Sequence, residues 1–284
     1  MTDYADPRVL VSTEWLAEHH SDPEVVVVEV DADTAAYDQG HVPGAVAWSW
    51  RKQMLDRRRR DILGLSDFEN LLGRSGIGNH TTVVLYGDSN NWYATLAFWQ
   101  LKVYGHREAR VVDGGRKKWV AEERELARTP TQPNPTTYKS MALNQDVRAF
   151  LAQVKSAVKS RACALVDARS HDEYSGKLLG KPGPLGPFQR SGHIPGARCV
   201  PWALTCRDDG TFKGADELRE IYLSKDITPD KEIITYSRVG ERASHSWFIL
   251  KYLLGYPKVR NYDGSYAEWG NAVGVAVETG DGKP

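Results

Sequence analysis

The sequence predicts an α/β protein of two tandem domains, each a mostly parallel sheet flanked by helices on both faces. Three observations carry this. First, the chain repeats itself: GHVPGAV at Gly40–Val46 returns as GHIPGAR at Gly192–Arg198, and Val83–Trp119 aligns without gaps on Ile233–Trp269. That alignment places Tyr86 on Tyr236, Gly105 on Gly255 and Asp113-Gly114 on Asp263-Gly264. Second, short β-branched runs alternate with longer stretches of helical spacing in each copy, the pattern of crossover units in a parallel sheet. Third, at 284 residues the chain exceeds the usual size of a single core, so two cores are expected.

In the first copy, strands are predicted at Val25–Val30, Thr82–Tyr86 and Arg110–Val112, with a helix at Trp92–Val103. In the second, they are predicted at Ala164–Asp167, Cys199–Val200, Glu232–Tyr236 and Val259–Asn261, with a helix at Arg242–Leu254. Along that last helix Ala243, Trp247, Leu250 and Leu254 recur at helical spacing, which marks one face as core. Between the copies, Thr129–Thr137 (TPTQPNPTT) is polar and proline-rich, with no periodicity to specify a packed element. The reading is therefore an N-terminal domain over 1–128, a linker over 129–145 and a C-terminal domain over 146–284.

Composition narrows the function. Lysines plus arginines and aspartates plus glutamates number 37 each, so no global field favours nucleic acid or an anionic membrane, and neither partner is expected. The start lacks a basic, then apolar, leader pattern, and no apolar run approaches the roughly 20 residues needed to span a bilayer. A soluble, cytoplasmic protein is expected. Cys163, Cys199 and Cys206 form an odd set without a CxxC pair, which argues against a disulfide framework and a thiolate zinc site. Buried small hydrophobes are the plainer reading. No histidine or carboxylate cluster has metal-ligand spacing, so neither metal nor cofactor is expected.

The chemistry concentrates in Tyr236–Arg242. A strand ends, the short loop SRVGER follows, and a helix opens at once. That order aims backbone N–H groups and the positive end of the helix dipole at one point, which suits an anion. Ser237, Arg238, Val239, Gly240, Glu241 and Arg242 form this cradle, with the two arginines able to add charge-assisted hydrogen bonds. A sulfur-accepting group at its first position must be a soft nucleophile, a thiolate whose pKa such amides and arginines lower. Ser237 stands there instead, and no motif places a base beside it.

The strand–loop–helix at Tyr236–Leu254, the GHIPGA turn, the DGSYAEW segment and the duplication together resemble the tandem rhodanese family of thiosulfate and 3-mercaptopyruvate sulfurtransferases. The resemblance spans nearly the whole chain. It implies that Ser237 occupies the position of the persulfide-forming cysteine, that Arg238 and Arg242 bind the donor's anionic end, and that Gly240 makes a tight turn. The basic loop implies thiosulfate over 3-mercaptopyruvate as donor, and its length implies a sulfur-sized rather than phosphate-sized cradle. Cyanide, a thiol or a sulfur-carrier protein is the implied acceptor. The first copy has Gly87–Trp92 at the equivalent place, without nucleophile or arginine, and following the family Trp92 and Tyr93 become an apolar wall of the interdomain cleft; simple core packing is the competing reading.

Other residues divide between chemistry and architecture. Asp167 and Arg169 end a strand where ligands of parallel sheets bind, yet an ion pair bracing the loop explains them more simply. Arg190 is placed to reach the donor, beside the extra segment Lys177–Gln189 that only the second copy has. His41 and His193 occupy equivalent turns, and since the inert copy has one too, they are read as turn-stabilising. His245 is read as a helix-surface or core histidine, and the run DRRRRD at Asp56–Asp61 as a solvated face. The serine itself leaves three readings: an inactivating replacement of a natural cysteine, favoured by its intact surroundings; a naturally silent anion- or partner-binding homologue; or transfer chemistry at Cys199 or Cys206.

Overall fold

The computed structural model describes residues 4–178 and 189–280, and the chain divides into two units. One comprises Arg8–Asn144 with Arg207–Phe212; the other comprises Met1–Pro7, Gln145–Cys206 and Lys213–Pro284. They are called the first and second unit below. No helix among the described residues is long and apolar enough to cross a membrane.

The first unit contains strands β1 (Leu10–Val11), β2 (Val25–Asp31), β3 (Val46–Ser49), β4 (Leu55–Asp56), β5 (Asp61–Ile62), β6 (Thr82–Tyr86) and β7 (Ala109–Val112). Five of them form a parallel sheet in the order β1-β7-β6-β2-β3, while β4 and β5 pair as a small antiparallel hairpin. The second unit contains β8 (Cys163–Asp167), β9 (Arg198–Cys199), β10 (Glu232–Tyr236) and β11 (Val259–Asn261), all parallel in the order β11-β10-β8-β9. Continuous apolar runs suit such sheets because helices cover both faces. Val27, Val28 and Val30 of β2 and Ile233 and Ile234 of β10 are buried accordingly.

The proline-rich stretch lacks regular structure yet is fastened to the first unit. Thr131 N–H donates to the Tyr37 hydroxyl (3.0 Å), Thr136 N–H to Gly73 O (2.9 Å) and Ser140 N–H to Glu69 Oε1 (2.8 Å). Tyr138 is buried there. Backbone groups of an irregular segment still need partners, and here the unit's own surface supplies them.

Two expectations are revised. The helix read as Arg242–Leu254 runs as Glu241–Phe248 and continues into a π-helical turn, Ile249–Leu253. Ala243, Trp247 and Leu250 are buried as expected, but so is every residue of Glu241–Phe248, and Leu253 rather than Leu254 completes the set. At the π-helical turn the buried position falls one residue earlier than a period of 3.6 gives. The strands β1, β3, β4 and β5 were not expected; three of them have only two residues each, too few to show a period.

The repeated GH[V/I]PGA turn is built the same way twice. Tyr37 and Tyr174 stack on His41 and His193, with ring centroids 3.7 Å apart in both units. Their hydroxyls donate to Ala45 O and Ala197 O at 2.8 Å, and their carbonyls contact the histidine Nδ1 atoms at 3.0 and 2.8 Å. The aligned tyrosines at the ends of β6 and β10 complete the turn: the Tyr86 hydroxyl accepts Val42 N–H (3.0 Å) and the Tyr236 hydroxyl accepts Ile194 N–H (3.2 Å). Both histidines therefore serve architecture. Replacing Tyr236 with phenylalanine leaves the buried Ile194 N–H without this acceptor; we expect Tyr236→Phe to cost about 1–3 kcal/mol, read as a lower urea midpoint at unchanged slope.

Candidate active-site loop

Strand β10 ends at Tyr236 and the buried helix opens at Glu241, so the chain must reverse within Ser237–Gly240. Gly240 makes this possible. Its φ is +100°, and a Cβ there would lie 3.0 Å from Asp263 Cα. Ser237 is fully buried, and its Oγ accepts the Gly240 N–H at 3.3 Å. The Ser237 N–H donates to Ser265 Oγ (3.0 Å), whose hydroxyl donates onward to Tyr262 O (2.8 Å). Tyr266 and Ala267 N–H groups bind Ser237 O (3.0 Å) and Arg238 O (2.9 Å). The DGSYAEW segment thus clamps a compact loop whose side-chain oxygen turns back toward the helix start.

The loop arginines differ in surroundings. Arg238 and Val239 are half-buried, whereas Glu241 and Arg242 are buried. Arg242 donates to both oxygens of Glu173, at 2.8 and 3.1 Å. Arg242 was expected to meet a donor's anionic end; in the structure its guanidinium is ion-paired with Glu173. Burial raises the Glu173 carboxyl, but the paired hydrogen bonds and charge of Arg242 outweigh it and hold the group at about 2. Glu173 was missed in the sequence, where the capping pattern Ser170-x-x-Glu173 reads only as a helix start; it does cap, since Ser170 N–H binds Glu173 Oε2 at 3.1 Å.

Asp167 and Arg169 form a buried pair, with Nη2–Oδ2 at 2.6 Å, and the Arg169 guanidinium lies 4.1 Å from the centre of the Tyr266 ring. Arg169 also donates to Gly192 O at 2.8 Å, tying β8 to the GHIPGA turn. Arg190, expected to reach the donor, donates its guanidinium to the carbonyls of Trp269 (2.9 Å), Gly270 (3.1 Å), Ala272 (2.8 Å) and Val275, capping the helix Ser265–Trp269. Within the segment Lys177–Gln189, residues 179–188 lie outside the described residues.

The first unit shows why its loop carries no nucleophile. A Cβ on Gly87, aligned with Ser237, would lie 2.3 Å from Val30 O. Ser89, Asn90 and Asn91 all take left-handed φ values, and Asn91 Oδ1 accepts the Gly87 N–H (3.1 Å), the task Ser265 performs in the second unit. Trp92 is half-buried, and Tyr93 packs on Trp50 at 5.4 Å.

The thiols are poorly placed for transfer. Burial pushes Cys163 and Cys199 up to about 12, which keeps both protonated. Cys206 Sγ lies 3.4 Å from His245 Nε2, and burial pushes His245 down to about 3, so no standing imidazolium charge lies beside that thiol. Among the described residues, no group of three His, Cys, Asp or Glu side chains could hold a metal ion.

Comparisons with known proteins agree with this arrangement. Residues 12–122 and 150–272 each match the rhodanese-like domain family. The chain is 50% identical to the sulfur carrier protein TtuD of Thermus thermophilus over 283 residues, 98% of this chain and 99% of that one. It is 46% identical to a Haloferax volcanii protein with a provisional thiosulfate sulfurtransferase name, covering 99% of each. Among solved structures, an anaerobic ergothioneine biosynthesis enzyme from Chlorobium limicola superposes with a TM-score of 0.87 at 23% identity, over 99% of this chain and 72% of its own; that likeness establishes the fold.

The Glu173–Arg242 pair gives the loop an acid limit. The folded carboxyl titrates near 2, below the usual 4.5, so its stabilisation is complete above about 4.5 and is lost as pH falls toward 2. We expect Glu173→Gln to destabilise the protein by roughly 3 kcal/mol at neutral pH and to flatten this acid-side decline. Urea unfolding across the pH range measures both.

Proposed function

Because the chain belongs to the rhodanese-like domain family, we propose that it is a thiosulfate sulfurtransferase scaffold silenced by the serine at position 237. One observation carries this reading: the 237 side-chain atom receives the Gly240 N–H at the start of a buried helix, where a thiolate would be stabilised. With cysteine there, the thiolate attacks the outer sulfur of thiosulfate, the S–S bond breaks, and sulfite leaves with the bonding electrons. The enzyme then carries a persulfide. A thiophilic acceptor, such as cyanide, a thiol or a carrier protein, takes the outer sulfur and the thiolate returns. Serine fails at the first step, since its hydroxyl stays protonated and oxygen forms no stable counterpart of the persulfide.

Relatives with sulfur-transfer names support the class of chemistry. Full burial of Ser237 means that a donor reaches it only after neighbouring groups shift. With Arg242 committed to Glu173, donor choice rests on Arg238, and 3-mercaptopyruvate stands as the second donor for that reason. A replaced natural cysteine and a naturally silent anion-binding homologue both fit the loop; the codon at 237 in the source gene separates them.

The decisive variant is Ser237→Cys. We expect it to move sulfur from thiosulfate to cyanide at least about a thousandfold faster than the serine form, and to gain the mass of one sulfur atom when mixed with thiosulfate alone. Adding Arg238→Ala should raise KM for thiosulfate more than it lowers kcat, with 3-mercaptopyruvate compared side by side. A Ser237→Cys protein with neither turnover nor sulfur uptake would sink the proposal.

A further inference from the structure

The run DRRRRD, read from sequence as a solvated face, is built into the β4–β5 hairpin. Asp56 pairs with Asp61 and Leu55 with Ile62, and Arg57–Arg60 form the connection. Asp56 Oδ1 accepts the N–H groups of Arg58 (2.9 Å) and Arg59 (3.1 Å), and Arg60 takes a left-handed φ of +57°. These features fix the backbone while all four arginines stand exposed. Arg59 pairs with Asp56 at 3.7 Å with the arginine side chain 81% exposed. Arg51 and Lys52 are exposed as well, so residues 51–60 carry six cations and one carboxylate on a chain of zero formal net charge. Among the described residues, the second unit has no equivalent hairpin.

We propose that this hairpin docks an acidic protein surface. Guanidinium forks pair with carboxylates two bonds at a time, and such contacts steer association at modest energetic cost. Leu65, 48% exposed just past β5, adds an apolar contact. Several features favour protein over nucleic acid. The strands have two residues each, too short to fill a groove, and zero net charge provides no field beyond the tip. The nearby Trp50 is buried and offers no face on which a base can stack. The proposal is independent of the chemistry at position 237, so each can fail alone.

Fluorescence anisotropy with a labelled all-glutamate peptide tests it, beside an all-lysine peptide and a single-stranded oligouridine. The glutamate peptide should bind alone among the three and weaken at least about tenfold between roughly 0.1 and 0.5 M salt. Binding should be lost when Arg57→Glu, Arg58→Glu, Arg59→Glu and Arg60→Glu are combined. The corresponding four-glutamine variant, with unchanged circular dichroism and melting, separates lost charge from lost fold. Undiminished binding in both variants, no binding of the glutamate peptide, or tighter binding of oligouridine through the same arginines overturns the proposal.

Discussion

The reversal from β10 into a buried helix is the constraint on which the second unit depends. Four residues must turn the chain without exposing it, and they succeed because Gly240 accepts a left-handed φ while the DGSYAEW segment satisfies the loop's main chain. Ser265 is central to that clamp, holding the Ser237 N–H although its own φ is +52°. A non-glycine residue there carries a conformational cost, offset by hydrogen bonds to both neighbours. The outcome is a side-chain position at 237 whose nearest donor is a backbone amide, fixed in place before any ligand arrives.

Duplication let the two copies divide what one must do alone. Both keep the stacked tyrosine–histidine turn and its tyrosine acceptor, because each sheet needs that turn to seat its edge. At the strand–loop–helix the copies diverge most plainly. Gly87 cannot be replaced without striking Val30 O, and Asn91 replaces Ser265 as partner of the first loop amide. The first copy has neither a nucleophile nor room for one, so placing cysteine at 87 would not create a site.

Much of this was legible in sequence because periodicity and repetition report backbone geometry. The repeat located both copies of the turn, and the strand–loop–helix order located the compact loop between β10 and the buried helix. What escaped were side-chain partnerships across sequence. Nothing near Arg242 names Glu173 as its mate, since the pair spans 69 positions. Arg190 looked available until four carbonyls at a helix end claimed it. The π-helical turn at Ile249–Leu253 was invisible because it changes the period partway along a segment buried on nearly every side, polar residues included. Two-residue strands are short for any pattern to mark.

These partnerships also change how charge works at the loop. If Arg238 and Arg242 both faced the ligand, two cations would dominate donor binding and a buried thiolate would owe its stability to them. With Arg242 neutralised by Glu173, the electrostatic contribution shifts to oriented peptide dipoles and a single half-buried arginine. Dipoles stabilise a localised charge on a sulfur atom at contact distance better than charge spread over sulfonate oxygens farther away. A loop of this kind is therefore better matched to a localised charge on one atom at position 237 than to a charge spread over a larger anion.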